Sequence, residues 1–383
     1  MNSVYCSKKF KELFVNVQER SVSNCCKAFP ERVDIKWLEE NSGKLFYTDT
    51  MVDDRVAMLE GKRTSACDFG CYKYEDLGLV SFRSLADKKI ISDPYNPMQT
   101  LILSLSLDCN LTCAYCGTAS STAWLNDIQE NGEYKIEGYK NSNENWHKLW
   151  NKIKQSDRSV DSKFFSLIIK EISLSPNIKE IILQGGEPLL NNQLLELVDV
   201  IGDKRITIIS GLGVSPDRFK KIIDRIKGKN IVFNISAEST GELFEFIRYG
   251  AVWKTFLEYL DYMKENQIKF RFISTITNLA SFNFLEFYNM FSKDHTIYYN
   301  PVAERTFLQP NVLDDYSKEI FLKKTNDKKD DVFFQKYRQS LSQPFDKSMR
   351  VNLSSYLKQF SYRRNLNLNI FPRHFIEWLE LSN

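Results

Sequence analysis

Three cysteines lie close together in the first third of the chain, at Cys109, Cys113 and Cys116. Their C-x3-C-x2-C spacing follows the apolar run Leu101–Leu107, a pattern typical of a buried strand. Three thiolates at this spacing can ligate three irons of a cubic four-iron cluster, whereas most iron–sulfur proteins supply four cysteines. The remaining iron would be free to bind a substrate or cofactor, so the spacing indicates chemistry rather than electron storage.

A zinc site is the main alternative for these three cysteines. Structural zinc is usually held by four ligands, often arranged as two C-x2-C pairs. No second pair lies near Cys109–Cys116 in the sequence. The spacing therefore favours an iron–sulfur cluster over zinc at this position.

A second motif follows about 70 residues later, where the apolar run Ile178–Gln184 leads into Gly185-Gly186-Glu187-Pro188. Glycine allows the backbone to approach a ligand closely, and a carboxylate such as that of Glu187 can pair with an ammonium group. Taken alone, this turn would be an ordinary connection from strand to helix. Because it ends the next predicted strand after the cysteine motif, it indicates a ligand site.

Together the two motifs resemble those of the radical S-adenosylmethionine (SAM) superfamily. In that family C-x3-C-x2-C lies on the loop after the first strand of a partial TIM barrel, with an aromatic residue, here Tyr115, before the third cysteine. The GGEP turn of the family ends the second strand and receives the amino group of SAM. The resemblance thus implies a [4Fe-4S] cluster at the three cysteines and SAM binding at Gly185, Gly186, Glu187 and Pro188.

Apolar runs alternate with periodic helical stretches from residue 101 onward. The predicted strands are Leu101–Leu107, Glu180–Gly185, Arg205–Ser210, Ile231–Ala237, Phe270–Thr277 and Thr296–Val302. The predicted helices are Ser159–Ser173, Gln193–Ile201, Pro216–Ile226, Trp253–Glu265, Phe282–Phe291 and Leu313–Lys324. Such alternation indicates an α/β fold with parallel strands and right-handed crossovers, and six units match the partial (β/α)6 TIM barrel of the family. Both motifs fall at the C-terminal ends of strands, where active sites lie in such barrels.

The 383 residues exceed one typical domain. We predict a small N-terminal metal-binding module at residues 1–98, the barrel at residues 99–330 and a C-terminal helical extension at residues 331–383. The run Phe371–Leu379 near the end predicts a helix that caps the barrel.

The connection after Cys116 is long for a compact domain. Residues 118–150 form an insertion, and long loops of this kind are usually functional or disordered. Two interpretations remain open, a surface insertion and a substrate lid anchored by Trp124, Trp146 and Trp150.

The segment before residue 100 carries further cysteines in a distinctive order. That order is Cys25-Cys26, Trp37, Arg55-Val-Ala-Met-Leu59, Gly61, Cys67-x3-Cys71 and Glu75. It resembles the twitch or SPASM module that accompanies many radical SAM enzymes, usually after the barrel, where it holds additional iron–sulfur clusters.

The resemblance implies one auxiliary metal centre in this segment. Cys26, Cys67 and Cys71 are the expected ligands, with Cys25 favoured over Cys6 as the fourth. An iron–sulfur cluster and zinc both remain open, since four thiolates suit either metal. Ordinary buried thiols are a third interpretation, disfavoured because the cysteines occur in pairs.

Polar residues at later strand ends complete the site that the resemblance implies. Ser210 ends the third strand, where relatives often carry Thr-Asn-Gly instead of the Ser-Gly-Leu found here. Ser236 and Glu238 end the fourth strand, where relatives place contacts to the ribose and carboxylate of SAM. Arg248 follows and could pair with the methionyl carboxylate. A capping or surface role is the alternative for each.

Composition excludes several classes of protein. The net charge of +3, without a strong basic stripe, does not predict binding to DNA. No stretch approaches the ~20 apolar residues of a membrane span, and the first residues lack the apolar core of a signal peptide. The eight cysteines do not resemble a secreted disulfide framework, so we expect a cytoplasmic protein.

The resemblance implies an enzyme that reductively cleaves SAM to a 5′-deoxyadenosyl radical, which abstracts hydrogen from a substrate. It also implies an external one-electron reductant of the flavodoxin or ferredoxin type. Because twitch and SPASM relatives mostly modify ribosomal peptides or proteins, a peptide side chain is the first substrate hypothesis. A small molecule, such as a nucleoside, sugar or amino acid, is the alternative. A degenerate, non-catalytic barrel that acts as a binding partner is disfavoured by the intact cysteines and Glu187.

Overall fold

The computed structural model describes residues 4–76, 81–84, 86–136, 162–302 and 305–381. Residues 137–150 of the predicted insertion, with Trp146 and Trp150, lie outside these ranges. None of the helices in the described ranges has the length and apolar character that crossing a membrane requires.

The strands predicted from the sequence are all present. Among the described residues the strands are β1 (Glu12–Asn16), β2 (Ser21–Ser23), β3 (Glu31–Arg32), β4 (Thr100–Ser104), β5 (Thr112–Cys113), β6 (Glu180–Gln184), β7 (Arg205–Ser210), β8 (Ile231–Ser236), β9 (Arg248–Tyr249), β10 (Lys269–Ile276) and β11 (Ile297–Pro301). The six predicted strands correspond to β4, β6, β7, β8, β10 and β11. The main difference is that β4 ends at Ser104 rather than Leu107.

The predicted helices are also present, together with helices that the sequence analysis did not predict. Within the described ranges the α-helices are α1 (Ile35–Glu40), α2 (Asp49–Leu59), α3 (Lys73–Asp76), α4 (Thr122–Asn131), α5 (Ser162–Leu174), α6 (Gln193–Val200), α7 (Pro216–Ile226), α8 (Gly241–Ile247), α9 (Trp253–Glu265), α10 (Phe284–Phe291), α11 (Asp315–Lys324), α12 (Val332–Leu341), α13 (Lys347–Arg364) and α14 (Arg373–Trp378). Helices α1, α2, α3, α4 and α8 were not predicted, and α12 and α13 were predicted only as parts of a helical extension at residues 331–383.

The described residues fall into two compact units. Unit 1 takes its residues from the ranges 1–107, 158–209 and 228–232, and unit 2 takes its residues from 108–157, 210–227 and 233–383. Strand β4 and the GGEP turn belong to unit 1. The cysteine motif belongs to unit 2.

Unit 1 is built around parallel strands. Strand β4 pairs in parallel with β6 on one side and with β1 on the other, and β6 pairs in parallel with β7. Leu103 is aligned with Leu183 in β6 and with Val15 in β1, and all three side chains are buried. The first strand of the chain therefore belongs to the same sheet as β4. Strands β2 and β3 extend this edge in antiparallel fashion.

Unit 2 combines parallel strands with a small antiparallel ribbon. Strands β10 and β11 pair in parallel, and β5 pairs with β9 in antiparallel fashion. Its helices pack through aromatic side chains: Phe219 of α7 stacks on Tyr259 of α9 with ring centroids 4.0 Å apart, and Phe284 of α10 stacks on Phe333 of α12 at 4.8 Å. The predicted α/β class with mainly parallel strands is confirmed, whereas the N-terminal metal module stays a prediction.

Candidate cluster and cofactor site

The cysteine loop is fixed at its centre by the β5–β9 ribbon. In this ribbon Thr112 pairs with Tyr249 and Cys113 pairs with Arg248. The next residue continues the contact, since the Ala114 amide donates a 2.7 Å hydrogen bond to the Ile247 carbonyl. The backbone register therefore places Cys113 directly beside Arg248.

The three thiols of the motif are neighbours. Cys113 is buried, and Cys109 and Cys116 are half-buried. A hydrogen bond from the Cys116 thiol, helped by the charge of Arg248, lowers the pKa of Cys113 despite its burial. The same hydrogen bond and burial raise the pKa of Cys116, and the nearby sulfurs of Cys113 and Cys109 add to the effect. Of this hydrogen-bonded pair, Cys113 is thus the thiol with the lower pKa.

The donor set fits a thiolate-bound cluster in chemical type. Three neighbouring thiols share one loop, and the Arg248 guanidinium beside Cys113 favours the thiolate form of that residue. As placed, however, no group of three or more His, Cys, Asp or Glu side chains within the described ranges is arranged to hold a metal ion.

A buried ion pair lies next to Cys113. The Arg248 guanidinium donates to the Glu238 carboxylate through Nε at 3.1 Å and through Nη2 at 2.9 Å, and Nη1 lies 4.0 Å from the Cys113 sulfur. The side chains of Arg248 and Glu238 are 2% and 0% exposed, so solvent does not screen this pair. The Tyr115 hydroxyl completes the group, because it accepts from Arg248 and donates to Glu238 at 3.3 Å.

Arg248 and Glu238 each favour the charged form of the other. Burial raises the pKa of Glu238, and the Arg248 charge and its hydrogen bonds offset only part of that rise. Burial works against the charged form of Arg248, but the attraction of Glu238 outweighs it and raises the pKa of Arg248. The sequence analysis assigned both residues to SAM, whereas here their charged groups bind each other. Their predicted contacts with the cofactor stay predictions.

The two predicted serines lie at the ends of β7 and β8. The Ser210 side chain is 2% exposed, and its hydroxyl accepts a 2.8 Å hydrogen bond from the Leu212 amide. Leu212 has a φ of +58°, so the serine stabilises a tight turn. Ser236 is half-buried at the end of β8. Ser210 therefore has the capping role that the sequence analysis gave as the alternative to cofactor binding.

The GGEP turn of unit 1 is shaped by the neighbouring strand. Gly185 has a φ of +86°, and a Cβ atom on it would overlap the Ser104 hydroxyl and lie 3.3 Å from the Ser104 Cα. Only glycine fits at this point, because β6 ends against the last residue of β4. Packing within the sheet thus accounts for the first glycine of the motif.

Glu187 is held in place by its own turn. Its side chain is 2% exposed and forms the N-cap of the short 3-10 helix Pro188–Leu190. The Glu187 Oε1 atom accepts a 3.1 Å hydrogen bond from the Leu189 amide. Pro188 occupies the first helical position, which suits its fixed φ and missing N–H. The turn therefore presents a buried carboxylate in a fixed orientation.

Residues 103–291 match the family model of the radical SAM superfamily. The chain carries a radical SAM domain. The predicted resemblance to the radical SAM superfamily is confirmed for this domain. The resemblance of the N-terminal segment to a twitch or SPASM module stays a prediction.

Solved structures of radical SAM proteins resemble the chain only distantly. The structure of anSMEcpe with bound AdoMet is 14% identical, with 63% of this chain and 60% of that chain covered and a TM-score of 0.41. Streptococcus suis SuiB bound to S-adenosylmethionine is 13% identical, with 74% and 63% covered and a TM-score of 0.37. SuiB bound to precursor peptide SuiA is 14% identical, with 96% and 73% covered and a TM-score of 0.34. The chain thus spans about 60% of the length of anSMEcpe. No curated protein sequence matches the chain.

The cysteines of the N-terminal segment lie in one neighbourhood of unit 1. The side chains of Cys25 and Cys26 hydrogen-bond to each other, which raises the pKa of Cys25 and lowers that of Cys26 to about 7. Burial raises the pKa of Cys67, and the sulfurs of Cys71 and Cys25 are close enough to raise it further. Cys6 also lies near Cys25 and Cys67. These cysteines are neighbours, but within the described ranges they are not arranged to hold a metal ion, and their contacts do not select between Cys6 and Cys25.

Arg55 of the N-terminal motif has a structural role. The buried Arg55 guanidinium donates to three backbone carbonyls, those of Lys9 at 2.9 Å, Pro94 at 2.8 Å and Phe46 at 2.6 Å. Burial lowers the pKa of Arg55 to about 10. Arg55 thus ties together three stretches of chain that surround the cysteines.

The sequence analysis missed three side chains that support the cysteine loop. Trp124, which it placed in a possible lid, is 0% exposed and donates from Nε1 to the Cys113 carbonyl at 2.9 Å. Tyr356 and Arg364 of α13 reach Ala114 and Thr112. The signal for α13 was present: its buried residues recur at helical spacing, at Leu353, Tyr356, Leu357, Phe360 and Arg364.

A cavity of about 460 Å³ lies in unit 2 beside α10, α11 and the start of α14. On its wall the His374 Nε2 atom is 3.0 Å from the Ser317 hydroxyl, which donates to Asp314 at 2.6 Å. This resembles a catalytic triad only in its residue types. Asp314 is the N-cap of α11 and binds the Ser317 amide as well, so the serine proton is engaged in a helix cap.

Proposed function

We propose that this enzyme reductively cleaves SAM and abstracts a hydrogen atom from a substrate, most directly a peptide side chain. The observation that carries the proposal is the radical SAM domain at residues 103–291, which contains all three cysteines of the motif and Glu187. The neighbouring thiols supply donors for a cluster, and the Arg248 guanidinium, which is paired with Glu238, lies beside Cys113.

The residues of the proposed site divide into groups with different tasks. Cys109, Cys113 and Cys116 would hold a [4Fe-4S] cluster, which together with SAM supplies the one-electron cleavage and radical chemistry when bound. The β5–β9 ribbon orients the cysteine loop, and Glu187 offers a fixed carboxylate to the amino group of SAM. Tyr115, Ser210, Ser236, Glu238 and Arg248 remain the proposed contacts or supports for the rest of the cofactor.

A peptide substrate is supported by the likeness of the N-terminal segment to twitch and SPASM modules, whose relatives mostly modify ribosomal peptides. The proposed partner is a one-electron reductant of the flavodoxin or ferredoxin type. All eight cysteines are free of disulfide bonds, which supports the proposed cytoplasmic location.

An auxiliary metal centre at Cys25, Cys26, Cys67 and Cys71 is part of the proposal. The Lys8 ammonium is close enough to interact with the thiols of Cys25 and Cys26, and the Lys9 ammonium similarly favours the thiolate of Cys67. Four thiolates around iron or zinc carry net negative charge, which these cations would offset.

Detection of 5′-deoxyadenosine tests the proposed activity. Anaerobically reconstituted protein is incubated with dithionite and SAM, and the product is measured by mass spectrometry. The wild type should form 5′-deoxyadenosine, and a variant with Cys109, Cys113 and Cys116 all replaced by Ala should form none. Equal product from the two proteins would refute the proposal.

Isotope transfer separates the two substrate classes. Peptides with deuterated side chains should pass deuterium to 5′-deoxyadenosine if a peptide is the substrate. Deuterium arriving only from a labelled nucleoside, sugar or amino acid would instead establish the small-molecule alternative.

Metal removal at the N-terminal centre gives a separate prediction. In protein with Cys109, Cys113 and Cys116 replaced by Ala, about four irons should remain if the centre is an iron–sulfur cluster, or one zinc if it is a structural site. Replacing Cys67 and Cys71 with Ser in this background should release that metal and destabilise the first hundred residues, because metal binding and local folding are coupled. Metal analysis and limited proteolysis report the two effects. Finding neither metal, with all four thiols readily alkylated in the native protein, would show that they are ordinary buried cysteines.

A further inference from the structure

We infer that α13, in the C-terminal extension, is a positioning element for the cysteine loop. Its side chains hold the backbone and side chains that flank Cys113, although more than 240 residues separate the two segments in sequence. The inference rests on the proposed function, because it concerns how firmly the loop retains a cluster.

Tyr356 makes the most direct contact. Its hydroxyl donates a 2.6 Å hydrogen bond to the carbonyl of Ala114, the residue that follows Cys113. The Tyr356 side chain is 0% exposed, and burial raises its pKa, so the hydroxyl stays protonated and remains a donor.

Arg364 holds the residue on the other side of Cys113. Its Nε atom donates to the Thr112 hydroxyl at 2.9 Å, and Nη1 donates to the Tyr134 hydroxyl at 2.8 Å. Arg364 Nη2 lies 3.5 Å from Asp127 Oδ1 in the middle of α4. The planar guanidinium therefore connects the loop, α4 and the chain after α4 in one rigid arrangement.

Trp124 links α13 to Cys113 itself. Its indole N–H donates to the Cys113 carbonyl at 2.9 Å. The Arg364 guanidinium lies 4.7 Å from the Trp124 ring centroid, and the Phe360 ring lies 6.0 Å from it. Three consecutive residues of the loop, Thr112 to Ala114, are thus held by α13 or by a tryptophan that packs on it.

These bonds matter because the loop has little regular structure to stabilise it. Strand β5 consists of two residues, so β-ladder bonds alone fix only the centre of the motif. The Ala114 carbonyl accepts from the Tyr356 hydroxyl, and the Cys113 carbonyl accepts from both the Trp124 indole and the Cys116 amide. A buried carbonyl that loses its donor is costly to leave unsatisfied, so removing one donor should loosen the cysteines on either side.

Conservative variants isolate this role. Tyr356→Phe removes one hydroxyl and keeps the ring. Tyr362→Phe is the matched control, because it makes the same change on the same helix at a side chain that is 87% exposed. Thr112→Val removes the hydroxyl that Arg364 binds and tests the same support from the side of the loop.

The experiment measures loss of iron from anaerobically reconstituted full-length protein to a chelator in excess. Iron retained by the variant that has Ala at 109, 113 and 116 is subtracted, so that only iron dependent on these cysteines is counted. Tyr356→Phe and Thr112→Val should lose this iron roughly five- to tenfold faster than wild type, as expected for one lost hydrogen bond of about 1 kcal/mol or slightly more. The electron paramagnetic resonance spectrum of the reduced cluster should broaden in both variants and stay unchanged in Tyr362→Phe.

The spectrum distinguishes positioning from a general loss of stability, since a folded protein with an undisturbed loop would keep the wild-type signal. Wild-type iron retention and spectra in Tyr356→Phe and Thr112→Val would overturn the inference and leave the proposed function intact. If Tyr356→Phe does not fold, Thr112→Val decides the question alone. Wild-type protein that retains no iron through the three cysteines would overturn the proposed function, and the inference with it.

Discussion

Glu187 offers a buried carboxylate whose orientation is set before any ligand binds. The cap to the Leu189 amide uses one oxygen, Oε1, and a glutamine at this position would keep an oxygen that can accept the same bond. Replacing Glu187 with Gln therefore removes the charge while keeping an oxygen that can accept from the Leu189 amide. This separates electrostatic recognition of SAM from the shape of the motif.

The first prediction follows from that separation. Glu187→Gln should weaken SAM binding by about 1.5–3 kcal/mol, the range for a hydrogen bond to a charged group, without changing the iron content. Glu196→Gln, at an exposed position of α6, is the control and should bind like wild type. Isothermal titration under anaerobic conditions measures both. Wild-type affinity in Glu187→Gln would show that the carboxylate does not receive the amino group.

The buried pair of Arg248 and Glu238 gives the second prediction at this scale. Arg248→Met leaves the Glu238 carboxylate buried without its partner, which should reduce the free energy of unfolding by about 3–5 kcal/mol. Combining Arg248→Met with Glu238→Leu removes both charges and should recover much of the loss. Urea unfolding of metal-free protein provides the comparison.

Arg373→Met is the control for this pair, because Arg373 and its partner Glu377 are 92% and 52% exposed. Exposed pairs contribute little, so its unfolding midpoint should hardly move. If Arg248→Met costs no more than this control, the buried pair does not stabilise the loop region as described.

At the scale of elements, the close approach of β4 and β6 explains why the turn after β6 begins with glycine. Strand β4 ends at Ser104, and the two strands are aligned so that Ser104 pairs with Gln184, the residue before Gly185. A side chain on Gly185 would have to displace the Ser104 backbone as well as its hydroxyl. The geometry of two paired strands therefore sets the start of the motif.

Gly185→Ala should destabilise the protein more than Gly228→Ala. The two glycines have similar φ values, +86° and +79°, but a Cβ on Gly228 meets no atom within 4 Å. Both variants should therefore lose a similar amount of stability through backbone strain. Gly185→Ala should lose about 1–3 kcal/mol more, because its Cβ overlaps Ser104. Thermal unfolding of the two variants measures it. Equal losses would show that the strands can separate without cost.

Local patterns predicted some elements closely and others not at all. The bounds of α7 were predicted correctly, because Ser215 caps the helix and Pro216 occupies its first position. Helix α13 was missed because its buried face includes Asn352, Ser361 and Arg364, which weaken the contrast between its apolar and polar sides. Of these residues, Arg364 binds Thr112 of the cysteine loop, whereas Ser361 donates to the Leu357 carbonyl of its own helix.

The whole molecule shows where sequence reasoning reached its limit. The cysteines and GGEP were recognisable because their spacing is local, whereas the supports from Tyr356 and Arg364 cross most of the chain and leave no local pattern. Strand β1 pairs in parallel with β4. Parallel strands are not joined by a hairpin turn, so the local sequence carries no signal that predicts this pairing. The N-terminal segment therefore joins the sheet of unit 1 in a way that its cysteine pattern did not predict.

The central claim is that three cysteines hold a cluster with one iron open to SAM. Electron paramagnetic resonance of the reduced, anaerobically reconstituted protein tests it most directly, with spectra recorded before and after SAM is added. The account predicts a cluster signal in the wild type that changes on addition of SAM and is lost when Cys109, Cys113 and Cys116 are replaced by Ala. A spectrum that SAM leaves unchanged, or a signal that survives in the triple variant with the same response to SAM, would contradict it.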